Sequence, residues 1–125
     1  MKKHGFTLIE LIMVIVILGI LAVVAIPRFF NLADQARTAA EQGVVGAVRG
    51  GIHTFFAQNR TWPTTLEAAT DVATTVFEGV LEQGVPTADG WSGPAANVYT
   101  GPTGATYTYY PTDSGTIRAG SFLQN

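Results

Sequence analysis

The sequence predicts an α+β protein in which one long N-terminal helix, about residues 6–58, carries a small C-terminal domain with an antiparallel β-sheet. Three observations support this fold class. Residues 6–26 are almost continuously apolar, apolar residues recur at three- and four-residue steps over 29–55, and the C-terminal segment reads as strand, turn, strand. The length of 125 residues allows this helix and one small domain.

The first part of the helix is long and apolar enough to cross a membrane. From Phe6 to Ile26 only Thr7 and Glu10 are strongly polar. A helix of this length spans roughly 30 Å, which is the thickness of a bilayer's hydrocarbon core. Two lysines precede it, and a basic flank of this kind stays on the cytoplasmic side. We therefore expect the N terminus in the cytoplasm and the chain after the helix across the membrane.

Glu10 is anomalous in this segment, because a carboxylate among membrane-embedded apolar side chains costs free energy unless it is paired. Thr7 and Glu10 have the spacing of a capping box, in which the two residues satisfy the first backbone N–H groups of a helix. This local role needs no second subunit. It is compatible with a further partner for the carboxylate, so both roles stay open.

The segment Gly5-Phe6-Thr7-Leu8-Ile9-Glu10, after a short basic leader and before the apolar helix, resembles the processing and assembly signal of type IV pilins and type II secretion pseudopilins. The resemblance implies the pilin fold, cleavage between Gly5 and Phe6 by a prepilin peptidase, N-methylation of Phe6, and polymerisation of the apolar helices. It also implies that Glu10 meets the Phe6 amine of a neighbouring subunit.

The same resemblance predicts how the chain is divided. Residues 1–5 would be the leader, 6–27 the transmembrane and filament-core helix, 28–58 its amphipathic continuation, and 59–125 a globular domain. Gly19 and Pro27 lie where family members soften or kink the helix.

Two other interpretations of the N-terminal segment stay open. A secretory signal peptide could be cleaved after Ala25, with Val23 and Ala25 as its small-residue site, although a carboxylate is unusual in the hydrophobic region of such a peptide. A plain single-span anchor would explain the apolar run but neither Glu10 nor the Gly5-Phe6 junction.

The second half of the helix has charged residues at helical spacing. Asp34 with Arg37, and Arg37 with Glu41, are three and four residues apart, so we expect them to lie on a solvated or subunit-facing side. Glycines are costly in a helix interior, by up to about 1 kcal/mol each relative to alanine. We expect a sheet or a neighbouring helix to approach closely where they cluster, and the alternative is a local bend. The cluster consists of Gly43, Gly46, Gly50 and Gly51.

The region after the helix predicts short elements. Short helical stretches are plausible at 65–70 and 73–83, and 84–104 reads as loop with one strand at 97–100. Residues 106–110 and 116–119 flank a Pro- and Gly-containing turn and predict a terminal antiparallel hairpin. In that hairpin Tyr107 and Tyr109 should share one face.

Composition gives little support for catalysis. The chain has no cysteine, and its two histidines are His4, in the leader, and His53, which no recognisable motif joins to a nucleophile or acid. The formal charge of −2 does not favour nucleic-acid binding. Asp89 and Asp113 are weak candidates for calcium, which prefers oxygen ligands; ordinary turn roles are preferred, and we expect no obligatory cofactor.

The resemblance implies a structural subunit rather than an enzyme. Its partners would be copies of itself in a helical homopolymer, the prepilin peptidase, an inner-membrane assembly platform and, before assembly, the membrane. Residues 27–32 and the tyrosine-rich hairpin most resemble mannose-sensitive haemagglutinin-type pilins, which implies a surface filament for attachment or motility. The alternatives are a periplasmic pseudopilus of type II secretion and a membrane-tethered binding module that does not polymerise.

Overall fold

The computed structural model describes residues 3–67 and 74–125. One α-helix, α1, extends over Leu8–Asn59. Contacts within the chain divide it into two compact units, which we call the stem unit (Met1–Ala36) and the head unit (Arg37–Asn125). The α+β fold is confirmed, and the helix bounds lie within two residues of the expected ones.

The stem unit contains the apolar first half of α1. Straight-chain and β-branched apolar residues fill this part of the helix, and Glu10 lies in its first turn. The helix continues without interruption through Gly19 and Pro27, although a proline has no N–H for the carbonyl four residues before it. Softening at these two positions stays a prediction.

The head unit contains the second half of α1 and two small sheets. Strands β1 (Thr75–Val76) and β2 (Val85–Pro86) form an antiparallel pair. The main sheet is antiparallel, and its strands lie in the order β3-β4-β5-β6. Their bounds are Ser92–Ala95 for β3, Val98–Thr100 for β4, Thr106–Tyr110 for β5 and Ser121–Gln124 for β6.

The core of the head unit lies between α1 and the sheets. Glu41, Val45, Val48 and Ile52 are the buried residues of the helix, and their steps of three and four residues define a single helix face. Aromatic rings dominate the other side of the core and pack on one another at centroid separations from 4.6 to 5.9 Å. Among the described residues, the other members of this hydrophobic core are Leu66, Val76, Phe77, Trp91, Tyr99, Tyr107, Tyr109 and Phe122.

The strand predictions are confirmed for β4 and β5. Tyr107 and Tyr109 are both about 1% exposed and lie on one face of β5, as their alternation predicts. The expected second hairpin strand at 116–119 is wrong, because these residues belong to a longer turn. Within it, Asp113 accepts a hydrogen bond from the N–H of Ala119 (2.7 Å), and pairing with β5 begins only at Ser121.

The expected short helices are wrong wherever the structure describes them. Residues 65–67 are not helical, and the remainder of the 65–70 stretch lies outside the described residues, as does Ala73. In place of a helix at 74–83 the chain forms β1 and a series of turns. The β-branched pair Thr75-Val76 favours a strand, and Phe77 takes a φ of 68° and is fully buried.

The glycines of α1 differ in what surrounds them. A Cβ at Gly51 would overlap the backbone carbonyl oxygen of Val80, so a close approach is confirmed at this position, but it is made by a turn and not by the expected sheet or neighbouring helix. A Cβ at Gly43, Gly46 or Gly50 would have no atom within 4 Å. The helix does not end or break at any of these positions.

Candidate assembly site

The first turn of α1 is closed by a reciprocal capping box. Glu10 Oε2 accepts hydrogen bonds from the backbone N–H and the hydroxyl of Thr7, both at 2.8 Å. The Thr7 hydroxyl in turn accepts one from the N–H of Glu10 at 3.3 Å. The local role expected for Glu10 is therefore present. Because these bonds use Oε2, the other carboxylate oxygen is not needed for the cap.

The residues around the cap are open to their surroundings. Phe6 is 90% exposed, and Gly5 has no atom within 4 Å of a would-be Cβ. Glu10 is exposed as well. The three residues that the motif singles out thus lie within one stretch of six residues, and all are accessible to a partner or a processing enzyme.

The helix behind the cap presents apolar side chains on every side. The large apolar residues from Leu8 to Leu32 are between 41% and 78% exposed. An 18-residue window of this helix has a mean hydropathy of 3.2, with none of it buried in the protein, so its length and composition suffice to cross a membrane. An apolar surface of this size must be covered by lipid or by other protein chains.

A second carboxylate on α1, Glu41, is buried in the head unit. It is 2% exposed, and its oxygens accept hydrogen bonds from the Tyr107 hydroxyl (2.6 Å) and the Thr103 N–H (2.8 Å). Gly101 makes this fit possible, because a Cβ there would lie 2.6 Å from the carboxylate. The expected solvated or subunit-facing position of Glu41 is therefore wrong.

The hydrogen bonds decide the charge of this buried group. Burial by itself raises the pKa of Glu41, but the bonds from Tyr107 and Thr103 outweigh it and lower the pKa below the usual value. Burial and the bond to Glu41 raise the pKa of Tyr107 to about 12. The pair thus consists of a carboxylate and a neutral phenol and joins β5 to the helix, while the Thr103 bond joins the connection between β4 and β5 to it.

The two calcium candidates, Asp89 and Asp113, are not part of a cluster of metal-binding side chains among the described residues. Asp113 uses its carboxylate within its own turn, and Asp89 closes a short 3-10 helix over Thr87–Asp89. Across residues 3–67 and 74–125, no group of three or more His, Cys, Asp or Glu side chains could hold a metal ion. His53 is exposed, and its ring meets the edge of Trp62 at a centroid separation of 5.7 Å.

Comparison with known proteins points to one family of filament and secretion proteins. Residues 1–26 match the family described as the prokaryotic N-terminal methylation motif. The type IV narrow pilus major component PilA5 of Thermus thermophilus is 47% identical over 64 residues, which are 51% of this chain and 55% of the relative. The type II secretion system core protein G of Pseudomonas aeruginosa is 36% identical over 64 residues, 51% of this chain and 45% of the relative.

A longer similarity extends into the head. The fimbrial protein EcpC of Eikenella corrodens is 32% identical over 91 residues, 73% of this chain and 59% of the relative. The chain spans about half the length of these relatives. No solved structure matches it at a significant level. Its methylation motif, exposed apolar stem and small antiparallel sheet make the chain similar to type IV pilins and type II secretion pseudopilins.

Proposed function

We propose that this protein is a structural subunit of a type IV pilus-like helical filament, and that its work is assembly rather than catalysis. A prepilin peptidase cleaves between Gly5 and Phe6, and Phe6 becomes N-methylated. Before assembly the subunit is held in the inner membrane, and an assembly platform then incorporates it into a polymer of identical copies. The observation that carries this proposal is the exposed apolar first half of α1, most of which lies within the matched methylation motif of residues 1–26.

Once the stem leaves the lipid, packing stem against stem keeps its apolar surface out of water. Each apolar side chain removed from water contributes about 25 cal/mol per Å² of buried area. In the membrane this surface contacts lipid, and in the filament it contacts the stems of neighbouring subunits. The stem therefore serves both states without refolding.

Glu10 sets the axial register of the subunits. An unpaired carboxylate among apolar stems is unfavourable, and the amine of a neighbour's Phe6 neutralises it. The cap leaves Glu10 with an uncommitted oxygen, and Phe6 is exposed. Only one axial offset between two subunits brings these groups together, so the pairing selects a single stagger.

A surface pilus for attachment or motility is preferred over a secretion pseudopilus. The narrow-pilus relative is 47% identical and the secretion relative 36% identical over stretches of the same length. Residues 27–32 and the tyrosine-rich β5 favour a mannose-sensitive haemagglutinin-type pilin within this group. The mature subunit would then lie in an extracellular filament, whereas a pseudopilus would remain in the periplasm.

Cryo-electron microscopy of filaments sheared from cells, with mass spectrometry of the N-terminal peptide, tests this proposal. We expect long filaments built from a chain that begins at methylated Phe6, with Glu10 next to a neighbour's N terminus. Processed subunits without surface filaments would favour the pseudopilus. An uncleaved chain would contradict the role assigned to Gly5, and a processed monomer that never polymerises would indicate a tethered binding module.

A further inference from the structure

A cleft in the head unit lies between α1 and the turn that leads into β6. It is open to solvent and has a volume of about 350 Å³, which is within the size range of small-ligand sites. The side chains that matter for its chemistry are those of Arg49, His53, Trp62, Arg118, Ser121 and Leu123.

The cleft is basic although the head unit is acidic. Residues 37–125 contain seven Asp and Glu against four Arg and no Lys, a formal charge of −3. Two of those four arginines, Arg49 and Arg118, line this cleft, and none of the carboxylate side chains that the structure describes lines it. A local concentration of positive charge on an acidic domain attracts an anionic group to this point rather than to the whole surface of the domain.

Arg49 is held in a fixed orientation. Its Nε–H donates a hydrogen bond to the backbone carbonyl of Phe122 at 3.0 Å, so the guanidinium is tied to strand β6. That bond leaves the four N–H donors of the two Nη atoms for other partners. Arg118 is exposed on the other side of the cleft. Its side chain makes no such hydrogen bond to the part of the chain that the structure describes. Two arginines that line the same cleft suit a planar carboxylate.

The remaining groups suit a hydroxylated ring. His53 and Ser121 can each donate and accept hydrogen bonds, and Leu123 and the indole of Trp62 add an apolar wall. Trp62 is not a platform for a nucleic-acid base, because it stacks on Phe56 at 4.2 Å and packs against the backbone of Gly120. Base stacking of the kind that holds single strands would need an open aromatic face.

We propose that this cleft binds the carboxylate of an acidic sugar residue, such as a uronic acid in a polysaccharide. The two arginines bind the carboxylate, and His53 and Ser121 bind ring hydroxyls. A single acidic side chain of another protein would satisfy the arginines alone and leave the other two groups unused. The proposal goes beyond assembly, and it does not require that the subunit polymerise.

The test uses the full chain in detergent micelles, so that failure of binding is separate from failure of filament assembly. Trigalacturonate is titrated by isothermal calorimetry, with its methyl ester, glutarate and a short single-stranded oligonucleotide as comparison ligands. We expect trigalacturonate to bind, the uncharged ester not to bind, and glutarate and the oligonucleotide to bind at least tenfold more weakly. Arg118→Gln should weaken binding of trigalacturonate roughly tenfold or more, as loss of a charge-assisted hydrogen bond does.

Arg60→Gln is the matched control, because Arg60 is an exposed arginine outside the cleft and its substitution changes the net charge equally. It should leave binding unchanged, and the fluorescence of Trp62 and Trp91 shows that both variants fold. Equal losses in the two variants would mean non-specific attraction and overturn the proposal. So would no binding of trigalacturonate, equal binding of glutarate, or tighter binding of the oligonucleotide.

Discussion

Glu10 in the stem unit and Glu41 in the head unit are both carboxylates on α1, but they find their partners in opposite ways. Glu10 is exposed and bonds to Thr7, three residues away. Glu41 is 2% exposed and bonds to Thr103 and Tyr107, which are 62 and 66 residues away. The first carboxylate serves its own turn and can still meet another molecule, whereas the second is fully used by the tertiary fold.

The difference separates assembly from stability within one helix. The stem unit has no buried apolar residue among those that the structure describes, so its stability depends on the lipid or protein that surrounds it. The head unit has its own core, and Glu41 is part of it. Substitution of the two glutamates should therefore damage different properties of the protein.

The largest expected effect is that of Glu10→Ala on filaments. The substitution removes the carboxylate proposed to meet a neighbour's amine, so we expect membrane insertion to be retained and filaments to be absent or short by electron microscopy. The urea unfolding of the head unit, followed by Trp91 fluorescence, should be unchanged. Normal filament yield would contradict the intersubunit role.

Thr7→Val separates this role from helix capping. Valine keeps the shape of threonine but lacks the hydroxyl, so two of the three capping hydrogen bonds are lost while the carboxylate remains. A lost cap costs about 1 kcal/mol, which the long helix can absorb. We expect near-normal filaments. If Thr7→Val abolished filaments as completely as Glu10→Ala, the cap and not the intersubunit pair would be the essential feature.

Glu41→Ala should damage the head unit and spare the signals for processing. It removes a charged acceptor and leaves a buried hydroxyl and a backbone N–H without their partner, so we expect a loss of about 3 kcal/mol in the free energy of unfolding. Urea unfolding in micelles measures this loss. Tyr107→Phe is the matched control, since it removes one bond and retains the ring, and its loss should be clearly smaller. A loss below about 1 kcal/mol for Glu41→Ala would contradict the role of this network.

These two glutamates also show what could be predicted from the sequence. Glu10 stands out because its apolar context and its partner Thr7 are both local. Glu41 looked like half of a surface pair with Arg37, since helical spacing reveals nearby charges but not a hydroxyl and an N–H more than sixty residues along the chain. A clue was the helical step that joins Glu41 to the apolar positions Val45 and Val48.

For the strands, too, local patterns could be predicted from the sequence and distant pairings could not. Strand β5 was predictable because period-two alternation is local, whereas β1 and β3 are short and depend on their partners in the sheets. The sequence places the second hairpin strand too early, at 116–119, because the bond between Asp113 and Ala119 extends the turn before β6. The cleft beside Arg49 brings together segments from α1 and the C-terminal turn, and no single stretch of sequence contains it.

The neighbouring glycines Gly50 and Gly51 test, with a smaller expected effect, the contrast between local sequence and tertiary contact. In sequence they are equivalent, but only Gly51 has the Val80 carbonyl in the space of a Cβ. We expect Gly51→Ala to lower the free energy of unfolding by about 1–3 kcal/mol through overpacking. Gly50→Ala should raise it by up to about 1 kcal/mol, because alanine is the better helix former. Equal effects of the two substitutions in urea unfolding would contradict the close approach at Gly51.

The smallest expected effect is the pH dependence that Glu41 adds to head stability. Its pKa is lowered in the folded protein from an ordinary value of 4.5, so as pH falls the unfolded chain takes up the proton first. The stabilisation from Glu41 is therefore complete above pH 4.5 and is lost as pH falls through the folded pKa. Glu67, whose pKa burial raises, contributes with the opposite sign, so the wild-type curve alone does not isolate Glu41.

The substitution Glu41→Gln isolates the pH-dependent contribution of Glu41, because the amide keeps an acceptor for Tyr107 and cannot titrate in this range. Urea unfolding of both proteins in steps from pH 6 downward should show a stability difference that shrinks as the solution becomes more acidic. Glu67 cancels in that difference, since it is common to both proteins. A difference that stays constant with pH would mean that hydrogen-bond geometry alone, and not the charge of Glu41, stabilises the head. Glu41 and Glu10 would then differ only in their burial and in how far along the chain their partners lie.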